Sequence, residues 1–107
     1  MFLMNAQEII GRMVQEIVTH YHPEQIILFG SQARGDASPD SDVDLLVVMP
    51  GDVNRREVAI DILTTLSDMP MPKDVIVTTS REIATRGQLP STVLHQAIHE
   101  GKILYAR

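Results

Sequence analysis

Four acidic residues interrupt the most apolar part of the chain, and this conflict constrains the fold more than any other feature. Residues 28–48 read LFGSQARGDASPDSDVDLLVV. Both ends of this segment are apolar runs of the kind that form buried strands. Asp42 and Asp44 stand at the start of the second run, so two carboxylates are directed into the edge of the predicted core. Because an unpaired buried carboxylate is costly, we expect a ligand for these groups.

Length and composition favour one small globular domain. The sequence has 107 residues, of which 44% are hydrophobic and 21% are charged, and these values are ordinary for a folded protein. We therefore expect a single domain over residues 1–107. The absence of cysteine excludes disulfides and thiolate metal sites and fits a cytoplasmic location. No apolar stretch approaches the roughly 20 residues of a membrane span, so we expect no membrane association.

The net charge of −5 restricts the expected partners. An acidic surface repels a phosphate backbone, so nucleic acid is not an expected partner. Aromatic residues make up 4% of the chain and tryptophan is absent, which leaves few platforms for stacking bases. The same charge suits a basic protein partner or a site that binds divalent cations.

Hydrophobic spacing predicts strands that alternate with helices. Apolar residues recur at helical spacing over residues 6–20 and 54–68, and shorter helices are expected at 80–86 and 91–100, with Ser80 and Ser91 as caps. Short apolar runs bounded by turn residues predict strands at 25–29, 43–49, 74–78 and 102–105. The turn at 30–35 has room for one helical turn. This order predicts an α/β or α+β domain built on one sheet.

The Asp-Val-Asp sequence predicts two carboxylates on one face of a strand. Side chains alternate between the faces of a strand, so Asp42 and Asp44 point the same way, with Cα atoms roughly 7 Å apart. Two such carboxylates repel each other, and a divalent cation between them removes the repulsion. Hard oxygen ligands suit Mg²⁺ or Mn²⁺, so this strand is a candidate metal site.

The turn before this strand is suited to holding an anion. Gly30 permits close backbone approach, and Ser31 adds a hydroxyl, although a serine here also fits a helix N-cap. Arg34 is a candidate contact for a triphosphate or for the metal-binding acids, and a surface ion pair with Asp36 or Asp40 explains it equally well. We expect those two acids to solvate the loop. An anion-holding turn beside a metal site is typical of phosphoryl or nucleotidyl transfer.

A third carboxylate opens the third predicted strand, in the sequence KDVIV. If that strand lies beside the second, Asp74 joins Asp42 and Asp44 on one face and completes a two-metal site. It would then also help to activate an attacking hydroxyl. From spacing alone the residue fits a simple surface role equally well, because acids are common at the start of strands.

Other metal and phosphate motifs do not fit the sequence. An EF-hand loop that starts at Asp36 or Asp40 lacks the required Gly and Glu. No Gly-Lys precedes a Ser or Thr as in a Walker A loop, and GxGxxG is absent. His95 and His99 lie four residues apart on a predicted helix, but no third ligand is evident, which favours a surface or partner-facing pair.

These residues resemble the GSx10DxD signature of the DNA polymerase beta-like nucleotidyltransferase superfamily. The longer text GSQARGDASPDSDVDLLV is similar to its smallest members, the minimal nucleotidyltransferases. The resemblance extends over nearly the whole chain and implies a nucleotidyltransferase fold with a small mixed sheet flanked by helices. It also implies that Asp42, Asp44 and Asp74 bind two Mg²⁺ ions, and that Gly30 and Ser31 hold the phosphates of ATP.

The same resemblance implies a protein partner. Minimal nucleotidyltransferases are commonly paired with a HEPN-family toxin, and in such pairs the nucleotidyltransferase silences the toxin by moving AMP from ATP to one of its tyrosines. It thus acts as the antitoxin of a hetero-oligomeric complex. Two alternatives stay open. The chain neutralises its partner by binding alone, or it modifies a small molecule such as an aminoglycoside, although larger relatives carry an added helical domain that this chain lacks.

Overall fold

The computed structural model describes residues 5–35, 41–86 and 93–107, and it confirms an α+β domain with one sheet. Helices and strands alternate along most of the chain, as the hydrophobic spacing predicts. The helices are α1 (Ala6–Tyr21), α2 (Ser31–Arg34), α3 (Arg55–Thr65), α4 (Ser80–Arg86) and α5 (Val93–Glu100). The strands are β1 (Gln25–Phe29), β2 (Val43–Met49), β3 (Lys73–Thr79) and β4 (Lys102–Ala106).

The four strands form one mixed sheet in the order β3-β2-β1-β4. Strand β1 is antiparallel to β2 and to β4, whereas β2 and β3 run parallel. The Val43 N–H donates to the Pro72 carbonyl oxygen at 2.9 Å, which aligns the first residues of β2 and β3. In the register that follows, Asp44 lies directly beside Asp74. The third strand therefore lies beside the second, which is the condition that the sequence set for Asp74 to join the other two acids.

The two faces of the sheet are buried by different helices. Val43, Leu45 and Val47 of β2 are fully buried in the larger core. They pack with residues of α1, of α3 and of the turn that follows α3: Met13, Ile17, Ile62 and Leu66. On the opposite face, Leu46 packs with Ile27, Phe29 and Ala97 of α5. Because side chains alternate along a strand, Asp44 shares the α5 face with Leu46.

The ends of the two long helices follow their capping residues. Asn5 caps α1, because its side chain accepts the Glu8 N–H at 2.8 Å. The predicted helix over 54–68 is too long at both ends. Asn54 is the cap and accepts the Glu57 N–H at 3.1 Å, and the helix ends at Thr65 in a tight turn. In the described ranges no helix has the length and apolar character needed to cross a bilayer.

The cap of α4 differs from the prediction by one residue. The Thr79 hydroxyl accepts the Glu82 N–H at 3.2 Å, whereas the hydroxyl of Ser80, the predicted cap, donates to Glu24. Two hydroxyl residues stand side by side here, and the sequence pattern does not distinguish them. The predicted cap of α5 at Ser91 lies outside the described residues.

An ion pair joins α3 to α4 beside β3. Arg55 Nη1 at the start of α3 lies 3.1 Å from Glu82 Oε1 in α4. Both helices contact β3, which is the outermost strand on its side of the sheet. The two partners are 48% and 20% exposed, so the contact links two elements at the surface of the domain. Solvent screening makes its energy small.

Two isoleucines of α3 test the assignment of its buried face. Ile62 is fully buried, whereas Ile60 is 54% exposed. We expect Ile62→Ala to lower the free energy of unfolding by about 3 kcal/mol, because it loses buried surface and leaves a cavity. Ile60→Ala should change it by less than about 0.5 kcal/mol. Urea unfolding of the two variants measures both values, and equal losses would contradict the assigned orientation of α3.

Candidate active site

Asp42, Asp44 and Asp74 meet at one end of the parallel strands β2 and β3. Asp42 directly precedes β2 and is exposed, while Asp44 is half-buried within the strand. Partial burial raises the pKa of Asp44, and repulsion from the carboxylates of Asp42 and then Asp74 raises it further. The structure therefore brings together the three acids that the sequence singled out.

Gly30 lies against the most buried of these acids. Its φ of 75° and ψ of −157° suit glycine, and a Cβ at this position would lie 2.4 Å from Asp44 Oδ2. The turn after β1 and the carboxylate in β2 therefore pack in direct contact. This contact is possible because Phe29, the last residue of β1, is paired with Asp44 in the antiparallel register.

Ser31 begins the short helix α2 and is half-buried. The Ala33 and Arg34 N–H groups both donate to the Gly30 carbonyl oxygen at 3.1 Å. The N-cap is therefore Gly30, so the N-cap alternative for Ser31 is wrong. The amides of Ser31 and Gln32 stand at the open start of the helix, where an anion can accept from them.

Gln32 is a positioning residue that the sequence did not reveal. Its side-chain amide donates to the Ser41 carbonyl oxygen at 3.4 Å, which connects α2 to the residue before Asp42. No recognised spacing marks this glutamine, since its partner lies nine residues away across a loop. The contact connects the turn after β1 to the start of β2, where Asp42 lies.

Arg34 occupies the last turn of α2 and is exposed. Its guanidinium lowers the pKa of Asp44, against the larger raising effects of burial and of the two neighbouring acids. The structure thus places Arg34 within electrostatic range of the acids, as one interpretation of the sequence required. The alternative ion pairs with Asp36 or Asp40 lie outside the described residues.

Asp74 is turned towards its own strand. Its Oδ1 accepts the Val75 N–H at 3.0 Å, and the side chain is exposed. Across the described residues no three acidic or histidine side chains converge on a point that suits a metal ion. The donor set of three carboxylates nevertheless fits a hard divalent cation, because Asp44 lies beside two like charges that such a cation would neutralise.

The two histidines of α5 form a pair of their own. The rings of His95 and His99 are 4.3 Å apart, in a tilted stack. The described residues supply no third ligand to this pair.

The chain belongs to the family of nucleotidyltransferase domains, whose profile matches residues 10–105. This match confirms the predicted fold and the predicted class of enzyme, a nucleotidyltransferase. A protein of Methanocaldococcus jannaschii named "putative protein adenylyltransferase" is 43% identical over 65 residues, which are 59% of this chain and 62% of that protein. The matched region thus spans less than two thirds of that relative.

Solved structures share the fold. A "putative nucleotidyltransferase" from Sulfolobus solfataricus has a TM-score of 0.66 and 21% identity, over 94% of this chain and 79% of that one. A toxin-antitoxin structure with AMP-PNP has a TM-score of 0.55 and 24% identity, over 91% and 73% of the two chains. A structure of the toxin-antitoxin MntA-HpeT has a TM-score of 0.56 and 20% identity, also over 91% of this chain and 73% of that one. At these identities the likeness concerns the fold alone.

Gly30→Ala should damage both stability and the site. The added methyl meets Asp44 and the backbone has a positive φ, so we expect a loss of about 2–3 kcal/mol in the free energy of unfolding and weaker Mn²⁺ binding. Gly35→Ala is the matched control, since Gly35 also has a positive φ, of 81°, but an added methyl there would meet no atom within 4 Å. It should lose about 1 kcal/mol and keep its Mn²⁺ affinity. Equal Mn²⁺ affinities in both variants would contradict the contact.

Asp44→Asn should stabilise the metal-free protein in a pH-dependent way. The pKa of Asp44 is higher in the folded than in the unfolded chain, so its contribution to stability is present at acid pH and is lost as pH rises through the folded pKa. At neutral pH we expect the variant to be more stable by less than about 1 kcal/mol, because solvent screens this site. The difference should disappear below the unfolded pKa.

Urea unfolding across the acid range measures this difference, with Asp68→Asn, a change at an exposed acid, as the control. An advantage of Asp44→Asn that grows towards low pH would contradict the assigned direction. Added Mg²⁺ should reverse the order, since it stabilises a protein that binds it.

Proposed function

We propose that this chain is a protein adenylyltransferase that moves AMP from ATP to a tyrosine of a HEPN-family toxin, and thereby acts as the antitoxin of a hetero-oligomeric pair. The observation that carries the proposal is the register that sets Asp44 beside Asp74, with Gly30 in contact with Asp44. Three acids and an anion-holding turn thus share one end of the sheet. The relative named a protein adenylyltransferase and the toxin-antitoxin structures of the same fold support it.

Each residue of the cluster has a role in this reaction. Asp42, Asp44 and Asp74 would hold Mg²⁺, which supplies neutralisation of the triphosphate and of the charge that develops in the transition state. The amides at the start of α2, with the Ser31 hydroxyl, would hold the phosphates. Arg34 would contact the triphosphate from the last turn of α2.

The transfer exchanges one phosphorus–oxygen bond for another. The tyrosine oxygen attacks the α-phosphorus of ATP and forms a bond to it, and the bond to the β-phosphate oxygen breaks, so pyrophosphate leaves. The phenol proton would pass to Asp74, which is exposed and lies beside Asp44 in the register. Residues 1–107 would form one minimal nucleotidyltransferase domain for this purpose.

Labelled ATP tests the proposal directly. The chain is incubated with Mg²⁺, α-labelled ATP and the product of the gene adjacent to its own. We expect label on a tyrosine of that protein, and at least about a hundredfold loss of rate in Asp42→Ala/Asp44→Ala, which removes the metal ligands. Asp68→Asn, at an exposed acid away from the cluster, should retain the wild-type rate.

The competing function predicts a different result. A tight complex with the partner that carries no label under any condition would contradict AMP transfer and favour neutralisation by binding alone. Label on an added aminoglycoside in place of the protein would also contradict it.

A further inference from the structure

The outer edge of β3 presents backbone groups that can pair with another strand. In a parallel ladder, alternate residues of a strand direct their N–H and C=O groups at the same neighbour. Because the Pro72 carbonyl accepts from the Val43 N–H, the backbone N–H and C=O of Asp74 point towards β2. The backbone groups of Val75 and Val77 therefore point outward, away from β2. Within the described residues β3 is the outermost strand on this side.

Grooves run along both faces of this edge. On the α3 face a cavity of 590 Å³ is lined by Val53, Ala59 and the outer residues of β3. On the α5 face a cavity of 340 Å³ is lined by Ile76, Val93 and Leu94. Since a strand directs successive side chains to opposite faces, an added strand would place them alternately in these two grooves.

Charge at this edge favours one kind of partner. Arg56 lines the α3-side groove, whereas Arg55 beside it is paired with Glu82, and the chain as a whole carries a net charge of −5. Arg56 favours an extended segment with an acidic side chain next to its apolar ones. The net charge disfavours a second copy of this chain, which would carry the same negative charge.

Asp74 connects this edge to the active site. The Val75 N–H that faces outward is the group whose hydrogen bond now holds Asp74 Oδ1. A carbonyl of an added strand would take that N–H and leave the carboxylate able to rotate towards Asp44, its neighbour in the register. The present orientation of Asp74 thus depends on a backbone N–H that an added strand would take.

We propose that the acceptor protein binds as an added strand along the outer edge of β3, and that this pairing releases Asp74 to complete the three-carboxylate site. The acceptor segment is extended, with alternating apolar side chains and an acid opposite Arg56, and its tyrosine lies beyond the Val75 end of the pairing, next to Asp74. The inference rests on the proposed function, and it makes the acceptor the activator of the enzyme that modifies it.

Amide hydrogen exchange tests the pairing without any catalysis. ¹⁵N-labelled chain is compared alone and with a saturating amount of the product of the adjacent gene. We expect the Val77 and Val75 amides to exchange at least about tenfold more slowly in the complex, while the Ile76 amide, which already faces β2, is unchanged. A complex that leaves Val77 exchange unaltered would overturn the proposal. Protection that appears without the partner and grows with the chain's own concentration would assign the edge to a second copy and overturn it equally.

Val77→Pro and Val77→Ala form a matched pair for the affinity. The first removes an outward N–H that makes no ladder bond, which edge strands tolerate, and the second loses a similar volume but keeps the N–H. We expect Val77→Pro to bind the partner at least about tenfold more weakly than Val77→Ala. Equal affinities in two folded variants would overturn the proposal, and if Val77→Pro does not fold, the exchange measurement decides.

Mn²⁺ titration tests the release of Asp74. Saturating partner should tighten Mn²⁺ binding about tenfold in the wild type and leave Asp74→Asn unaffected. An equal increase in Mn²⁺ affinity in the wild type and in Asp74→Asn would overturn the proposed release of Asp74. Different results would contradict the two proposals. Protection of the Val77 amide without labelled AMP on the partner would contradict AMP transfer but not strand pairing. AMP transfer at equal rates in Val77→Pro and Val77→Ala would contradict strand pairing but not AMP transfer.

Discussion

Repulsion between carboxylates at the start of two parallel strands is the constraint on which this structure depends. The hydrogen bond from Val43 to Pro72 aligns β2 with β3 and thereby sets Asp44 beside Asp74. A fold selected only for stability would not place like charges there, since each raises the pKa of Asp44. The apolar core between these strands and helices α1 and α3 is tightly buried, so it can hold β2 and β3 in place despite this cost.

The turn that follows β1 supports the acids from the side of β2 that faces β1. Gly30 leaves room for the Asp44 carboxylate, and Gln32 connects the same turn to the residue before Asp42. One turn therefore connects the proposed phosphate-binding amides to the proposed metal-binding acids. This coupling suits a reaction in which a metal and a triphosphate must be bound together.

Local periodicity was enough to predict much of this arrangement. The alternation of side chains along a strand predicts that Asp42 and Asp44 share a face, and the helical spacing of apolar residues predicts α1 and α3. The sequence could not show that Asp74 lies beside Asp44, because that depends on which strands are neighbours. The contact of Gly30 with Asp44 and the orientation of Asp74 depend in the same way on atoms brought together only by the fold. The cap of α4 escaped prediction for a local reason, since Thr79 and Ser80 are both good caps.

The Arg55–Glu82 ion pair has a further consequence for the protein in solution. An outer strand with apolar neighbours is a common starting point for uncontrolled association between molecules. Charged side chains held beside such a strand hinder flat contact between two sheets. A single extended segment is narrower and can still pair with the strand. The Arg55–Glu82 ion pair thus protects the edge of β3 against aggregation, and this protection weakens as the salt concentration rises.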